Sequence, residues 1–178
     1  VRMRRDFAIV ALLWLSGGCG LVYEVIWARA LAQWLGNTST AHALVVCVFL
    51  GGMGLGYLFW GRRVDNASSP LKLYAGLELG IAGWAFGSVE LVRWASAWLP
   101  SSPVSAWEVN VTRLALCGFT LFVPTFLMGG TLPAMVSEIS RHRTSPGQAV
   151  ASCYASNSFG GVVGALLAGC WIIERYGL

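Results

Sequence analysis

Long apolar stretches constrain this chain more than any other feature of its sequence. They cover approximately residues 7–34, 41–60, 71–98, 109–139 and 148–173. A helix needs about 20 apolar residues to cross the hydrocarbon layer of a bilayer. Of the 178 residues, 56% are hydrophobic and 11% are charged, whereas a soluble domain carries about 25% charged residues. We therefore predict an all-α fold: a single domain over residues 1–178 that forms a polytopic membrane helix bundle of about five transmembrane helices.

Basic residues cluster in alternate connections between these stretches. They precede the first stretch, link the second to the third, and link the fourth to the fifth: Arg2, Arg4 and Arg5; Arg62, Arg63 and Lys72; Arg141, His142 and Arg143. Cytoplasmic loops of membrane proteins carry an excess of Lys and Arg. We therefore expect a multi-pass protein of the inner (cytoplasmic) membrane, with its N-terminus in the cytoplasm. The first apolar run is too long for a cleaved signal peptide, so we interpret it as an uncleaved helix.

The fourth stretch contains two prolines, Pro124 and Pro133, and the pair Gly129 and Gly130 lies between them. Proline removes a helical hydrogen bond and clashes with the preceding turn. The pattern predicts a kink or break near residues 128–133. Irregular backbone at membrane depth is tolerated inside protein or beside a water-filled cavity, so this segment is expected to face the bundle interior.

Glycines spaced four residues apart occur in three of the stretches. The pairs are Gly52 and Gly56, Gly76 and Gly80, and Gly160 and Gly164. Small residues on one helical face allow the backbones of membrane helices to approach closely. We interpret these six glycines as helix-packing positions within the bundle. A sliding surface for transport motion or a dimer face remains an alternative.

Five polar side chains within or beside the apolar stretches form a candidate intramembrane polar site: Glu24, Arg29, Glu78, Arg113 and Asn157. Charge inside a membrane is costly, so its default interpretation is functional. We expect Glu24, Arg29 and Arg113 to cluster near the outer face, and Glu78 and Asn157 to line an inward-facing cavity. The alternatives are structural ion pairs for the first group and a hydrogen bond between helices for Asn157.

No catalytic, cofactor or metal site is predicted from the sequence. The five cysteines include no Cys-x-x-Cys pair, and no set of Ser, His and Asp indicates hydrolysis. The net charge of +4 comes without a basic stripe interleaved with aromatic residues, so no nucleic-acid partner is expected. The expected partners are the lipid bilayer and either another membrane subunit, further spans or a second copy of the chain.

Five segments resemble a known family in their order and spacing. They are SGGCGLVYEVIWAR at 16–29, GGMGLG at 51–56 followed by Gly61 and Arg62, LYAGLELG at 73–80, MGGTLP at 128–133, and YASNSFG at 154–160. Over nearly the whole chain they resemble the membrane region of the fused major-facilitator/spermidine synthase family. The resemblance implies a fold similar to part of a major-facilitator six-helix unit.

The same resemblance implies a link to a soluble domain similar to polyamine aminopropyltransferases. Such a domain transfers an aminopropyl group from decarboxylated S-adenosylmethionine to putrescine. This sequence shows neither its glycine turn nor its aspartates, so no catalytic residue is carried over. Separately, Gly61 to Asp65 resembles the basic loop after the second helix of major-facilitator transporters, which helps to hold the cytoplasmic side closed.

Three functions remain open on this basis. The first is a non-catalytic membrane domain of that family, acting as a scaffold or conduit for polyamine-related metabolism. The second is a major-facilitator-like transporter fragment, and the third is an accessory structural subunit of a larger membrane complex. Five spans from a cytoplasmic start would leave the C-terminus outside, away from a cytosolic cofactor. We therefore expect either further spans after Leu178 or a free-standing five-helix protein.

Overall fold

The computed structural model describes residues 2–34, 39–98, 106–141 and 145–176. Five long helices account for most of them: α1 (Arg2–Trp34), α2 (Ser39–Asp65), α3 (Pro70–Trp98), α4 (Ala106–Ser140) and α5 (Pro146–Leu167). A π-helical turn (Ala168–Ile172) continues α5 directly into a last short helix, α6 (Ile173–Tyr176). These ranges contain no β-strand, which confirms the all-α prediction.

Among the residues that the structure describes, four helical segments are long and apolar enough to cross a membrane. They are Asp6–Leu31, His42–Asp65, Leu114–Ser140 and Gly147–Tyr176. The helix α3, with 29 residues, is not among them. It carries Glu78 and Glu90 within its length, and these carboxylates lower its hydropathy.

The helices run up and down through one bundle. Along α1 and α5, Trp14 packs on Gly160 and Gly18 packs on Gly164, so these two helices are parallel. Along α3 and α4, by contrast, the partners run in opposite directions. Gly130 lies against Leu77, whereas the Thr120 carbonyl receives a hydrogen bond from Trp84. The helix α3 therefore crosses the bundle beside α4, from one end to the other.

Two buried clusters hold the ends of the bundle. One contains Leu13 of α1, Val64 of α2, Tyr74 of α3, Met135 of α4 and Cys153 of α5. It therefore joins all five long helices. The other contains Trp27 and Leu31 of α1, Phe49 of α2 and Leu121 of α4. Burial of such side chains stabilises the packing at both ends.

The sequence predicts a kink or break of the fourth stretch near residues 128–133; a break is wrong, and a kink stays a prediction. The helix α4 is continuous through Pro124 and Pro133. The reason at Pro124 lies in a neighbouring helix. Proline has no N–H for the carbonyl four residues earlier, and here the indole Nε1 of Trp84 donates a 2.8 Å hydrogen bond to that carbonyl, Thr120 O. At Pro124 a donor from α3 thus replaces the missing backbone donor.

The segment interpreted as a basic loop is helical instead. The helix α2 runs beyond Trp60 to Asp65, with Arg62 and Arg63 in its last turn. Cations at a helix C-terminus interact favourably with the helix dipole, which explains the extension. Arg141, the residue that follows α4, holds the next connection: its guanidinium donates to Ala67 O at 2.6 Å and to Ser68 O at 3.2 Å. We call this end of the bundle, with Arg62, Arg63 and Arg141, the basic end.

Candidate functional site

Glycines let α1 and α5 approach until their backbones touch. A Cβ on Gly160 would collide with the backbone of Trp14, and one on Gly164 would collide with the backbone of Gly18. A Cβ on Gly18 would lie 3.3 Å from the Gly160 carbonyl oxygen. One turn earlier on both helices, Ser156 Oγ donates a 2.7 Å hydrogen bond to the Val10 carbonyl.

The contact between α2 and α4 has the same character. A Cβ on Gly52 would collide with the Thr125 side chain, and one on Gly56 would collide with the Phe126 backbone. Gly129 of α4 faces the α2 backbone in return. Small residues at these positions therefore set the distance between the two helices, as is usual for membrane helix pairs.

On α3, one of the two predicted packing glycines makes a contact. A Cβ on Gly80 would lie 3.1 Å from Leu127 Cδ1 of α4. No described atom lies within 4 Å of the Cβ position of Gly76, so Gly76 makes no packing contact among the described residues, and a role at a dimer face stays a prediction. The α3–α4 contact runs through Leu77, Gly80 and Trp84, and Gly76 lies outside it.

A polar contact between α1 and α3 involves Glu78. Ser16 Oγ donates a hydrogen bond of 2.5 Å to Glu78 Oε1. One turn earlier on both helices, Tyr74 Oη donates a 3.4 Å hydrogen bond to the Leu12 carbonyl. The side chain of Tyr74 is buried and that of Glu78 is partly buried. We call Ser16, Tyr74 and Glu78 the α1–α3 polar cluster.

Sequence reasoning identified Glu78 but missed Ser16 and Tyr74 as its neighbours. A signal was present in the spacing. Leu12 and Ser16 lie four residues apart on α1, as do Tyr74 and Glu78 on α3. Residues four apart share a helical face, so two parallel helices in the right register bring both pairs together. The register itself was not visible from the sequence.

Asn157 lies on another side of α1. Its backbone carbonyl and its side-chain oxygen Oδ1 face Gly17, the residue after Ser16. Successive helical residues point about 100° apart, so Glu78 and Asn157 reach α1 from different directions. Tyr154, one turn before Asn157, is 62% exposed, whereas Cys153 is buried in the core. Glu78 and Asn157 therefore contact adjacent positions of α1 from different sides, and a shared cavity between them stays a prediction.

The predicted outer group of charges is described only in part. Glu24 is partly buried and Arg29 is exposed. Within the described residues, no ion pair joins Glu24 to Arg29. The Arg113 side chain lies outside the described part of the structure, so its place in this group stays a prediction. The described side chains include no group of three or more His, Cys, Asp or Glu that is placed to hold a metal ion.

Comparison with known proteins adds a relationship that the geometry alone does not provide. Over 164 residues, the chain is 30% identical to polyamine aminopropyltransferase 2 of Streptomyces coelicolor; the match covers 90% of the chain and 28% of the relative. Over 173 residues, it is 26% identical to polyamine aminopropyltransferase 1 of the same organism, covering 96% of the chain and 30% of that relative. The chain is a distant homologue of these proteins.

The homology confirms the polyamine-related part of the resemblance. The chain spans less than a third of the length of either relative, so it corresponds to a segment of them. No protein-family model matches the chain, and no solved structure matches it significantly. The likeness to the major-facilitator fold therefore stays a prediction.

Proposed function

We propose that this chain is a non-catalytic integral membrane domain of the aminopropyltransferase-related type, which acts as a scaffold for polyamine-related chemistry at the membrane. One observation carries the proposal. Similarity to the two aminopropyltransferases covers at least 90% of this chain but at most 30% of either relative. That shared segment is a helical bundle with four helices of membrane-spanning length and hydropathy.

The surface of the bundle supports a membrane location. Large apolar side chains project outward from α1 and α3: Phe7 is 74% exposed, Leu79 is 74% exposed and Phe86 is 83% exposed. An apolar surface of this kind is covered by lipid or by protein. In the proposed arrangement, α3 also spans the membrane, because it crosses the bundle beside α4, and this raises the number of spans from four to five. The basic end of the bundle lies in the cytoplasm.

The interior of the bundle supports a scaffold. The α1–α5 and α2–α4 contacts are backbone-to-backbone at glycines, which leaves little freedom for the helices to slide. Polar groups are used to join helices, as in the bonds from Ser156 to Val10 and from Trp84 to Thr120. A rigid helical platform is suited to holding a second protein or domain in place.

A second candidate function, a conduit or transporter fragment, is favoured by Glu78. This carboxylate lies within α3 and accepts a hydrogen bond from Ser16. Ionisable side chains within membrane segments are commonly part of ion or substrate pathways. The two functions differ in one respect that can be measured. A conduit moves polyamines across a bilayer, whereas a scaffold binds a partner without moving them.

Purification from the native membrane tests the scaffold. The chain carries an affinity tag, is extracted in mild detergent, and its co-purifying proteins are identified by mass spectrometry. We expect an aminopropyltransferase-like domain, either in the same polypeptide or as a partner in stoichiometric amount, and its absence from both would refute the scaffold. Recovery with an unrelated membrane complex would support the accessory-subunit alternative. An equally tagged, unrelated membrane protein of similar size serves as control.

A flux assay tests the conduit. The purified chain is reconstituted into liposomes, and entry of radiolabelled putrescine or spermidine is followed. The scaffold proposal expects no flux above that of empty liposomes. Flux that is abolished by Glu78→Gln but kept by Glu174→Gln, an exposed carboxylate, would favour the conduit instead.

A further inference from the structure

A cavity of about 430 Å³ opens at the basic end, away from the α1–α3 polar cluster. It lies between α2, α4 and α5. Its apolar wall includes Val64, Leu132 and Val136. Ligand pockets in proteins have volumes of about 300–1,000 Å³ and combine apolar walls with a few polar groups. The volume of this cavity therefore lies within the range of small-molecule sites.

The polar groups of the cavity are acceptors that suit one kind of ligand. Asp65 supplies the charged group that lines it, and Ser137 and Ser140 supply hydroxyls. A carboxylate with hydroxyls beside an aliphatic wall matches an ammonium group on an alkyl chain. The carboxylate would pair with the positive charge of the ammonium group, and the hydroxyl oxygens would accept hydrogen bonds from its N–H groups. The methylene groups of the ligand would be buried against the aliphatic wall.

Asp65 occupies a position where a carboxylate is unfavourable by itself. It is the last residue of α2, where the helix dipole is negative. Two arginines of the basic end are engaged elsewhere. The Arg63 guanidinium lies 3.7 Å from the centroid of the Phe59 ring, and Arg141 donates to the carbonyls of the α2–α3 connection. Within the described residues, no ion pair joins Arg62 to Asp65, and Asp65 is exposed, so its carboxylate is open to a cation from solution.

We propose that the cavity binds an aliphatic primary amine, with its ammonium group at Asp65 and its alkyl chain along Val64, Leu132 and Val136. The hydrogen bonds of Arg141 fix the adjacent connection and so help to hold the mouth of the cavity. The site is separate from Glu78, and it goes beyond the proposed scaffold role, because a scaffold needs no amine ligand of its own.

Isothermal titration of the purified protein in zwitterionic nanodiscs tests the site. The probes are n-butylamine and putrescine, and n-butanol is the uncharged control. We expect saturable binding of the amines at one site and no binding of the alcohol. Asp65→Asn should weaken amine binding at least tenfold, because it removes the charge and keeps the side-chain size. Glu174→Gln removes an exposed carboxylate in the last helical turn and should leave the affinity unchanged.

A second variant distinguishes loss of the binding site from general unfolding of the protein. Val136→Phe adds bulk to the cavity without changing charge, so it should also weaken binding while far-ultraviolet circular dichroism stays the same. Three results would overturn the proposal: no saturable binding of either amine, equal affinity in the parent protein and Asp65→Asn, or equal losses in Asp65→Asn and Glu174→Gln. None of these results bears on whether an aminopropyltransferase-like protein co-purifies, so failure of this site and failure of the scaffold are distinguishable.

Discussion

The indole N–H of Trp84 on α3 bonds to the carbonyl of Thr120 on α4, at 2.8 Å. This is the carbonyl that Pro124, four residues later in the same helix, leaves without a backbone donor. Thr120 is 2% exposed, so water does not readily replace the indole. The ring of Trp84 also packs edge-on against Phe119, with 5.4 Å between centroids. A side chain of one helix thereby completes the backbone of its neighbour.

Replacing Trp84 by Phe should destabilise the bundle. The variant keeps an aromatic ring but leaves the Thr120 carbonyl buried without a donor. An unsatisfied buried polar group costs about 1–3 kcal/mol. Unfolding in a denaturing-detergent titration, followed by circular dichroism, measures the loss.

The double variant Trp84→Phe/Pro124→Ala separates the hydrogen bond from the packing. The alanine that replaces Pro124 has a backbone N–H that can donate to Thr120 O, so the double variant should regain most of the lost stability. If it is less stable than Trp84→Phe alone, the indole bond is not what compensates Pro124.

Two glycines of α2 form a matched pair for testing the α2–α4 contact. An added methyl group at Gly56 would meet the Phe126 backbone, whereas one at Gly54 meets nothing within 4 Å. Gly56→Ala should therefore lower stability by about 1–3 kcal/mol or more, the range for overpacking. Gly54→Ala should be neutral or stabilising by up to about 1 kcal/mol, because alanine is the better helix former. Equal effects at both positions in the same unfolding titration would contradict the described contact.

The α1–α3 polar cluster can be tested by a double-mutant cycle. Ser16→Ala, Glu78→Ala and the double variant should show a coupling energy of about 0.6 kcal/mol, the average for hydrogen bonds between membrane helices, and at most about 1.7 kcal/mol. Ser152 is the control, because its hydroxyl bonds to Ala149 O of its own helix. The cycle of Ser152→Ala with Glu78→Ala should show no coupling. Zero coupling for Ser16 as well would mean that the bond to Glu78 contributes nothing measurable.

Local sequence properties predict some parts of this structure well. The length and hydropathy of the apolar stretches predict five long helices, because both are properties of one segment at a time. Glycine spacing pointed to the positions at which helices touch, such as Gly56 and Gly164. These predictions need no knowledge of which helix lies beside which.

Features that depend on a distant partner were not predictable in the same way. The donor that bonds to Thr120 O at Pro124 is Trp84, which lies on another helix. The environment of Glu78 depends on the register between α1 and α3, which brings Ser16 to it. Gly76 has the spacing of a packing residue but lies outside the α3–α4 contact. Only the tertiary arrangement decides these three cases.

The number of membrane spans depends on whether α3 crosses the bilayer. Labelling at two exposed positions can test this. Ser68 precedes α3 and Gln148 follows α4, and both are exposed. In a background without the native cysteines, Ser68→Cys and Gln148→Cys are labelled separately with a membrane-impermeant thiol reagent, in right-side-out and in inverted vesicles. If α3 spans the bilayer, two crossings separate the positions, and both should be labelled from the same side. That side should be cytoplasmic, because the basic end carries the Arg residues.

The contact of Arg141 with the Ser68 carbonyl gives the physical reason for this expectation. This contact holds the start of α3 beside the end of α4. The start of α3 and the end of α4 should therefore lie on the same side of the membrane. If α3 instead lies along the surface, one crossing separates the positions, and they should be labelled from opposite sides. Glu174→Cys, at the far end of the α5 segment, provides the internal control, since it should be labelled from the side opposite to Gln148→Cys in either case.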